Sequence, residues 1–210
     1  MRVERFFSPE ARASVERAVA AAEARSLGQI VPVVVARSAS YHEAPFAAAL
    51  FAGALATAVV LLFRVPVTLR ELAVLQAAAA GLGALLARVP AVERFFAGDA
   101  ALAAAAQARA LRAFHAHGLH RTSRGTGVLV FASLLERRAV ILGDHGIHEK
   151  MKEGEWQKAI EALVAGLRRG DPAAGFVAAV AVCGDRLAEH FPRDGSAPVN
   201  ELPDDLRSDE

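Results

Sequence analysis

The chain has 210 residues, of which 54% are hydrophobic and 22% are charged, and its formal net charge is +1. Because the charge is balanced, there is no basic field of the kind that binds nucleic acid. A single cysteine, Cys183, excludes an intrachain disulfide framework and fits a reducing compartment.

The first predicted elements are an amphipathic helix and a buried strand. Ser8-Pro9-Glu10 combines a helix cap, a proline at the first helical position and an acidic first turn. Ile30–Val35 is a continuous, mainly β-branched run, which is typical of a strand covered on both faces. The segment that contains both elements is too short to bury a core alone. We therefore expect it to complete a domain with sequence further along the chain.

Two uncharged apolar stretches, Phe46–Phe63 and Leu72–Ala87, come next and are joined by a short polar turn. A membrane-spanning helix needs about 20 mostly apolar residues, which the first stretch has and the second nearly has. Two spans return the chain to its starting side. The sequence therefore predicts a transmembrane helical hairpin at residues 45–88, inserted into a single domain formed by residues 1–44 and 89–191. The alternative is a pair of Ala-rich helices buried in a soluble core.

The sequence after the hairpin predicts a short helix at the membrane surface, a long Ala-rich helix, two strands joined by a tight turn, and two further helices. The strand at Ile30 and the strand at Val128 are expected to pair in parallel through a right-handed crossover. An acidic tail, residues 192–210, is predicted to be flexible. The predicted fold class is thus α/β, a small mixed sheet sandwiched by helices and interrupted by the membrane hairpin.

Two polar clusters flank the antiparallel strands. Arg121 and Arg124 precede the strand at Val128 and form a candidate anion site together with glycine amides. The cluster after the last strand offers carboxylates and imidazoles, which bind divalent metals: Asp144, His145, His148 and Glu149. Calcium, magnesium and zinc are the candidate cofactors. Hairpin pairing predicts that the two clusters lie close together, whether or not they bind a ligand. The alternative for both is a solvated surface loop.

Several catalytic signatures are missing from the sequence. It contains no GxxxxGK[ST] phosphate loop, no GxGxxG dinucleotide fingerprint and no GxSxG nucleophile elbow. Cys183 lies in an apolar run, which predicts a buried and inert thiol.

Three segments of the chain resemble the TPM domain family: SPEARASVERAVAAAEARSLGQIVPVVV, RTSRGTGVLVFASLLERRAVILGDHGI and EGEWQKAIEALVAGLRRGDPAAGFVAAVAVCGDRLAEHFP. That family includes thylakoid-lumen proteins of photosystem II repair and many bacterial membrane proteins. The resemblance implies an α/β sandwich and, for some relatives, acid phosphatase activity or calcium binding by acidic loops. This chain departs from the acidic pattern, because Asp144 and Glu149 stand among histidines and the loop after the first strand offers only Glu43.

Together these features predict a membrane-anchored binding or assembly module for membrane-protein quality control or repair. Its expected partners are the lipid bilayer and other membrane proteins, with no nucleic acid. A secretory signal is missing, and Arg37, Arg88 and Arg94 flank the hairpin on the domain side, so we expect a cytoplasmic domain on the inner membrane. The alternative is a metal-dependent phosphatase that uses Asp144 with His145 and His148.

Overall fold

A computed structural model describes residues 3–151, 154–193 and 202–209. The strands are β1 (Gln29–Val35), β2 (Gly127–Ser133), β3 (Arg138–Gly143) and β4 (Arg207–Asp209), and they form one sheet in the order β3-β2-β1-β4. The helices are α1 (Pro9–Glu23), α2 (Glu43–Leu62), α3 (Leu69–Leu86), α4 (Pro90–Ala97), α5 (Asp99–Ala116), α6 (His145–Lys150), α7 (Gln157–Arg169) and α8 (Pro172–His190).

The predicted strand pairing is confirmed. β1 runs parallel to β2, with Gln29 opposite Gly127 and Val35 opposite Ser133. β3 runs antiparallel to β2 after a tight turn. Every residue of β1 and β2 is buried, which explains why both strands are continuous apolar runs rather than alternating ones.

Helices cover both faces of this sheet. On one face, Val34 packs in a core with Val19 of α1 and Phe176 of α8. On the other face, Val33 and Phe131 pack with residues of α5. Neighbouring residues of a strand point to opposite faces, so a seven-residue strand supplies both cores. The predicted mixed sheet sandwiched by helices is therefore confirmed.

The chain forms two compact units. The first consists of Met1–Ser38 and Ala103–Glu210, and it contains the sheet with α1 and α6 to α8. The second consists of Ala39–Leu102 and contains α2, α3 and α4.

Part of the tail is ordered, which differs from the flexible tail predicted for residues 192–210. Residues 202–209 include β4, which pairs in parallel with β1 at Val33–Val35. Leu206 is buried in the core, and Arg12 Nη1 donates to its carbonyl oxygen at 3.1 Å. A strand at the edge of a sheet has unpaired backbone groups, and a short added strand satisfies them. Residues 194–201 and 210 lie outside the described residues.

α2 and α3 pack against each other in opposite directions within the second unit. Gln76 Nε2 donates to Thr57 Oγ1 at 2.7 Å, and a Cβ at Gly83 would overlap the Ala48 carbonyl oxygen. Both helices are long and apolar enough to cross a membrane, with mean hydropathies of 2.2 and 1.4. Only 11% and 6% of their most apolar windows are buried. Helices in the core of a soluble protein would be mostly buried, so these low percentages argue against the alternative of two core helices.

Candidate functional site

The two polar clusters lie together at one end of the strands, as predicted. The Asp144 amide donates to the Gly127 carbonyl oxygen at 2.8 Å. A Cβ at Gly146 would overlap the carbonyl oxygens of Arg124 and Gly125, so the two segments are in direct contact. The clusters lie at the amino ends of β1 and β2. Open α/β sheets, in contrast, bind ligands outside the carboxyl ends of their strands.

Asp144 caps the helix α6, which replaces the loop predicted after β3. Its Oδ1 accepts from the His145 amide at 2.8 Å, and aspartate is among the preferred residues at this position. The Asp144 side chain is 9% exposed. Its Oδ2 atom is buried and accepts no hydrogen bond from the described part of the chain. An unpaired buried oxygen costs about 1 to 3 kcal/mol, and a cation bound at Oδ2 would relieve this cost.

The other predicted metal ligands do not converge on Asp144 as a set. His145 Nδ1 lies 3.3 Å from Asp144 Oδ1, and the His145 ring rests against Gly125, where a Cβ would overlap it. His148 Nδ1 contacts the Asp144 backbone oxygen at 3.0 Å instead of its carboxylate. Glu149 is exposed on α6. Across residues 3–151, 154–193 and 202–209, no group of three or more His, Cys, Asp or Glu side chains is placed to hold a metal ion.

In the candidate anion site, two backbone amides are already used in hydrogen bonds within the loop. Arg121 and Arg124 are both exposed, at the end of a 3-10 turn and in the loop that follows. The Gly125 amide donates to the Thr122 carbonyl oxygen at 3.1 Å, and the Thr126 amide donates to Thr122 Oγ1 at 3.1 Å. Because these amides stabilise the loop itself, an anion here would depend on the guanidinium groups.

A second polar network, centred on Glu136 in the turn between β2 and β3, lies at the opposite end of the strands. Glu136 is 3% exposed, and its Oε1 accepts from the Ser38 amide at 2.9 Å. Its Oε2 accepts from Ser133 Oγ, which in turn accepts from Ser38 Oγ at 2.8 Å. The network follows the carboxyl ends of β1 and β2, where α/β proteins place their functional residues. The available signal was a glutamate that directly follows the apolar run ending at Leu135.

Two other titratable groups, the partly buried Glu23 and the fully buried Cys183, have perturbed pKa values. Burial raises the pKa of Glu23 to about 7, against a hydrogen bond from the Ile30 amide and with a further increase from Asp204. Burial also raises the pKa of the Cys183 thiol to about 12. Cys183 is fully buried, as predicted, and a thiol with a raised pKa holds its proton near neutral pH.

Comparisons of sequence and of structure relate the chain to known proteins. A family model described as the TPM domain matches residues 88–186, which include both polar clusters and Glu136. No curated protein matches the chain. Among solved structures, the chain is similar to the NMR structure of BA42 protein from the psychrophilic bacterium Bizionia argentinensis, with a TM-score of 0.62, 17% identity and 99% coverage of both chains. At this identity the likeness concerns the fold alone.

Proposed function

We propose that this chain, which carries a TPM domain, is a membrane-anchored binding module whose helices α2 and α3 cross the bilayer. The observation that carries the proposal is the exposure of large apolar side chains along both helices. The most exposed of them lie at both ends and along the middle of the hairpin: Phe46, Leu50, Phe51, Leu61, Leu62, Leu69, Val74, Leu82 and Leu85.

The lengths and energies of the two helices suit a bilayer. With 20 and 18 residues at about 1.5 Å per residue, they extend about 30 and 27 Å, close to the thickness of the hydrocarbon core. The strongly apolar side chains of α2 favour insertion by about 3 to 5 kcal/mol. In water the same side chains would form an exposed patch of the kind that soluble monomers avoid.

The polar atoms of the hairpin also support a membrane setting. Gln76 Nε2 donates to Thr57 Oγ1 across the hairpin, and Thr57 Oγ1 donates in turn to the Gly53 carbonyl oxygen at 3.1 Å. Gly83 lets the two backbones approach closely. Small residues and interhelical hydrogen bonds are the usual contacts between helices in lipid.

In this proposal residues 45–88 form the hairpin, and residues 1–44 and 89–191 form a domain on the cytoplasmic face of the inner membrane. The domain binds or assembles other membrane proteins during quality control or repair. A binding role fits the surface chemistry, because the predicted ligands at the amino ends of the strands do not converge and the buried Glu136 accepts hydrogen bonds from Ser38 and Ser133.

Reporter fusions at the two termini test the anchoring. We expect green fluorescent protein to fluoresce at either end and alkaline phosphatase to be inactive at either end, because two spans return the chain to the cytoplasm. Signals from opposite sides of the membrane would exclude a hairpin. Periplasmic signals from both ends would reverse the proposed orientation.

A second candidate function is a metal-dependent phosphatase at Asp144, favoured by the buried and unpaired Oδ2 atom. In this alternative Asp144 and His145 bind a divalent cation, and Arg121 or Arg124 holds a phosphate beside it. His148 and Glu149 are not cation ligands in this alternative. His148 contacts a backbone oxygen, and Glu149 faces solvent.

Calorimetric titration of the full chain with calcium, magnesium, manganese and zinc tests this candidate. We expect Asp144→Asn to abolish cation binding while keeping α6, because asparagine caps a helix as well as aspartate does. Glu149→Gln is the matched control and should leave binding unchanged. Failure of the wild type to bind any cation, or to hydrolyse a phosphate monoester with cation present, removes the phosphatase and leaves the binding module in place.

A further inference from the structure

The second unit contains an apolar cavity of about 430 Å³ between α2, α3 and α4. Ala48 and Ala52 of α2 and Gly83 of α3 line its floor, where the two helices are in close contact. Phe51 and Phe96 form one wall, with their ring centroids 5.9 Å apart. The volume falls within the range of about 300 to 1,000 Å³ that is usual for ligand pockets.

Helix α4 supplies one side of this cavity and is strongly amphipathic. Ala91, Val92, Phe95 and Phe96 line the cavity, and their spacing places them on one helical face. Glu93 lies outside this face. A helix with this pattern lies at the boundary between apolar and polar surroundings, which for a membrane protein is the headgroup level.

The segment between α3 and α4 carries a positive charge, Arg88. Arg88 is exposed and stands in the short segment between Leu86 and Ala91, both of which line the cavity. A guanidinium group at the end of a membrane helix binds phosphate with paired N–H groups. An exposed guanidinium group thus lies two residues along the chain from Leu86, which lines the apolar cavity.

We infer that the cavity holds an acyl chain of an anionic phospholipid whose headgroup phosphate pairs with Arg88. This inference rests on the proposed function, since the cavity meets lipid only if α2 and α3 lie in the bilayer. Phosphatidylglycerol is the test ligand, because it joins two acyl chains to an anionic headgroup. Phosphatidylcholine is the comparison lipid, because the cationic choline beside its phosphate makes its headgroup neutral overall.

Native mass spectrometry of the full chain in detergent measures the bound lipid. We expect the wild type to retain a single phosphatidylglycerol in preference to phosphatidylcholine. Ala52→Phe fills the cavity and should reduce retention about tenfold, because the phenyl ring takes the space and the packing contacts of the acyl chain. Leu61→Phe is the matched control on the same helix, because Leu61 is 70% exposed and does not line the cavity. Arg88→Gln should remove the headgroup preference.

A second filling variant guards against misfolding of the first. Ala91→Phe closes the cavity from α4 without altering the contact of α2 with α3, and it should lower retention to the same extent. Equal retention by wild type, Ala52→Phe and Ala91→Phe would overturn the inference, as would failure of the wild type to retain phosphatidylglycerol. If the reporter fusions still show a hairpin in that case, the lipid site is wrong and the anchoring proposal stands.

Discussion

Replacing residues 46–87 with a flexible linker should convert the protein from an integral membrane protein into a soluble, folded domain. Ala48 and Gly83 are in contact, so about eight Gly and Ser residues can join the two ends of the excised hairpin. The core of the first unit is formed by its own strands and helices, and the excised residues supply none of the side chains in its two hydrophobic clusters.

Carbonate extraction and circular dichroism measure this result. The wild type should stay in the membrane pellet, and the linker variant should appear in the supernatant with helical and strand signals. Leu111→Arg is a suitable control, because Leu111 is half exposed on α5 and its change should leave the wild-type distribution intact. An unfolded linker variant beside a folded full chain would show that the hairpin belongs to the core.

The stability of the first unit should decrease as the pH rises from about 4.5 to 7, because of Glu23. Burial raises the pKa of this carboxyl group from 4.5 to about 7, and the nearby Asp204 adds to the increase. The folded state therefore holds a proton that the unfolded state has released across this interval. Below pH 4.5 the contribution of the neutral carboxyl is complete, and above about pH 7 it is lost. The difference corresponds to about 3 kcal/mol.

Urea unfolding at several pH values measures this effect through the fluorescence of Trp156, the only tryptophan in the sequence. Glu23→Gln cannot ionise, so its free energy of unfolding should exceed that of the wild type by a margin that grows between pH 4.5 and 7. The exposed Glu149→Gln should follow the wild type at every pH. A constant difference between Glu23→Gln and wild type would contradict the assignment of the proton to Glu23.

Much of the fold could be predicted because its central elements have simple patterns. β1 and β2 are continuous apolar runs, and each is short enough to exclude a helix. The antiparallel pairing of β2 with β3 follows from the tight turn between them. β4 has only three residues, and it depends on the edge of β1 rather than on any apolar pattern of its own.

The candidate site was predicted less completely, for related reasons. Hairpin geometry was enough to bring Asp144 close to Gly127. It was not enough to show that Asp144 begins a helix, which directs His148 Nδ1 to a backbone oxygen. The network of Ser38, Ser133 and Glu136 joins residues almost 100 positions apart, so its partners follow from the strand register and not from local spacing.

The central claim is that α2 and α3 cross the membrane as a hairpin, and thiol labelling in intact bacterial cells measures it most directly. Val65 lies in the turn between the helices and Leu111 lies in the first unit, and both are substantially exposed. The native Cys183 is fully buried, so it gives little background. A membrane-impermeant maleimide should label Val65→Cys in intact cells and Leu111→Cys only after lysis. Equal protection of both cysteines in intact cells, or equal labelling of both, would contradict the hairpin.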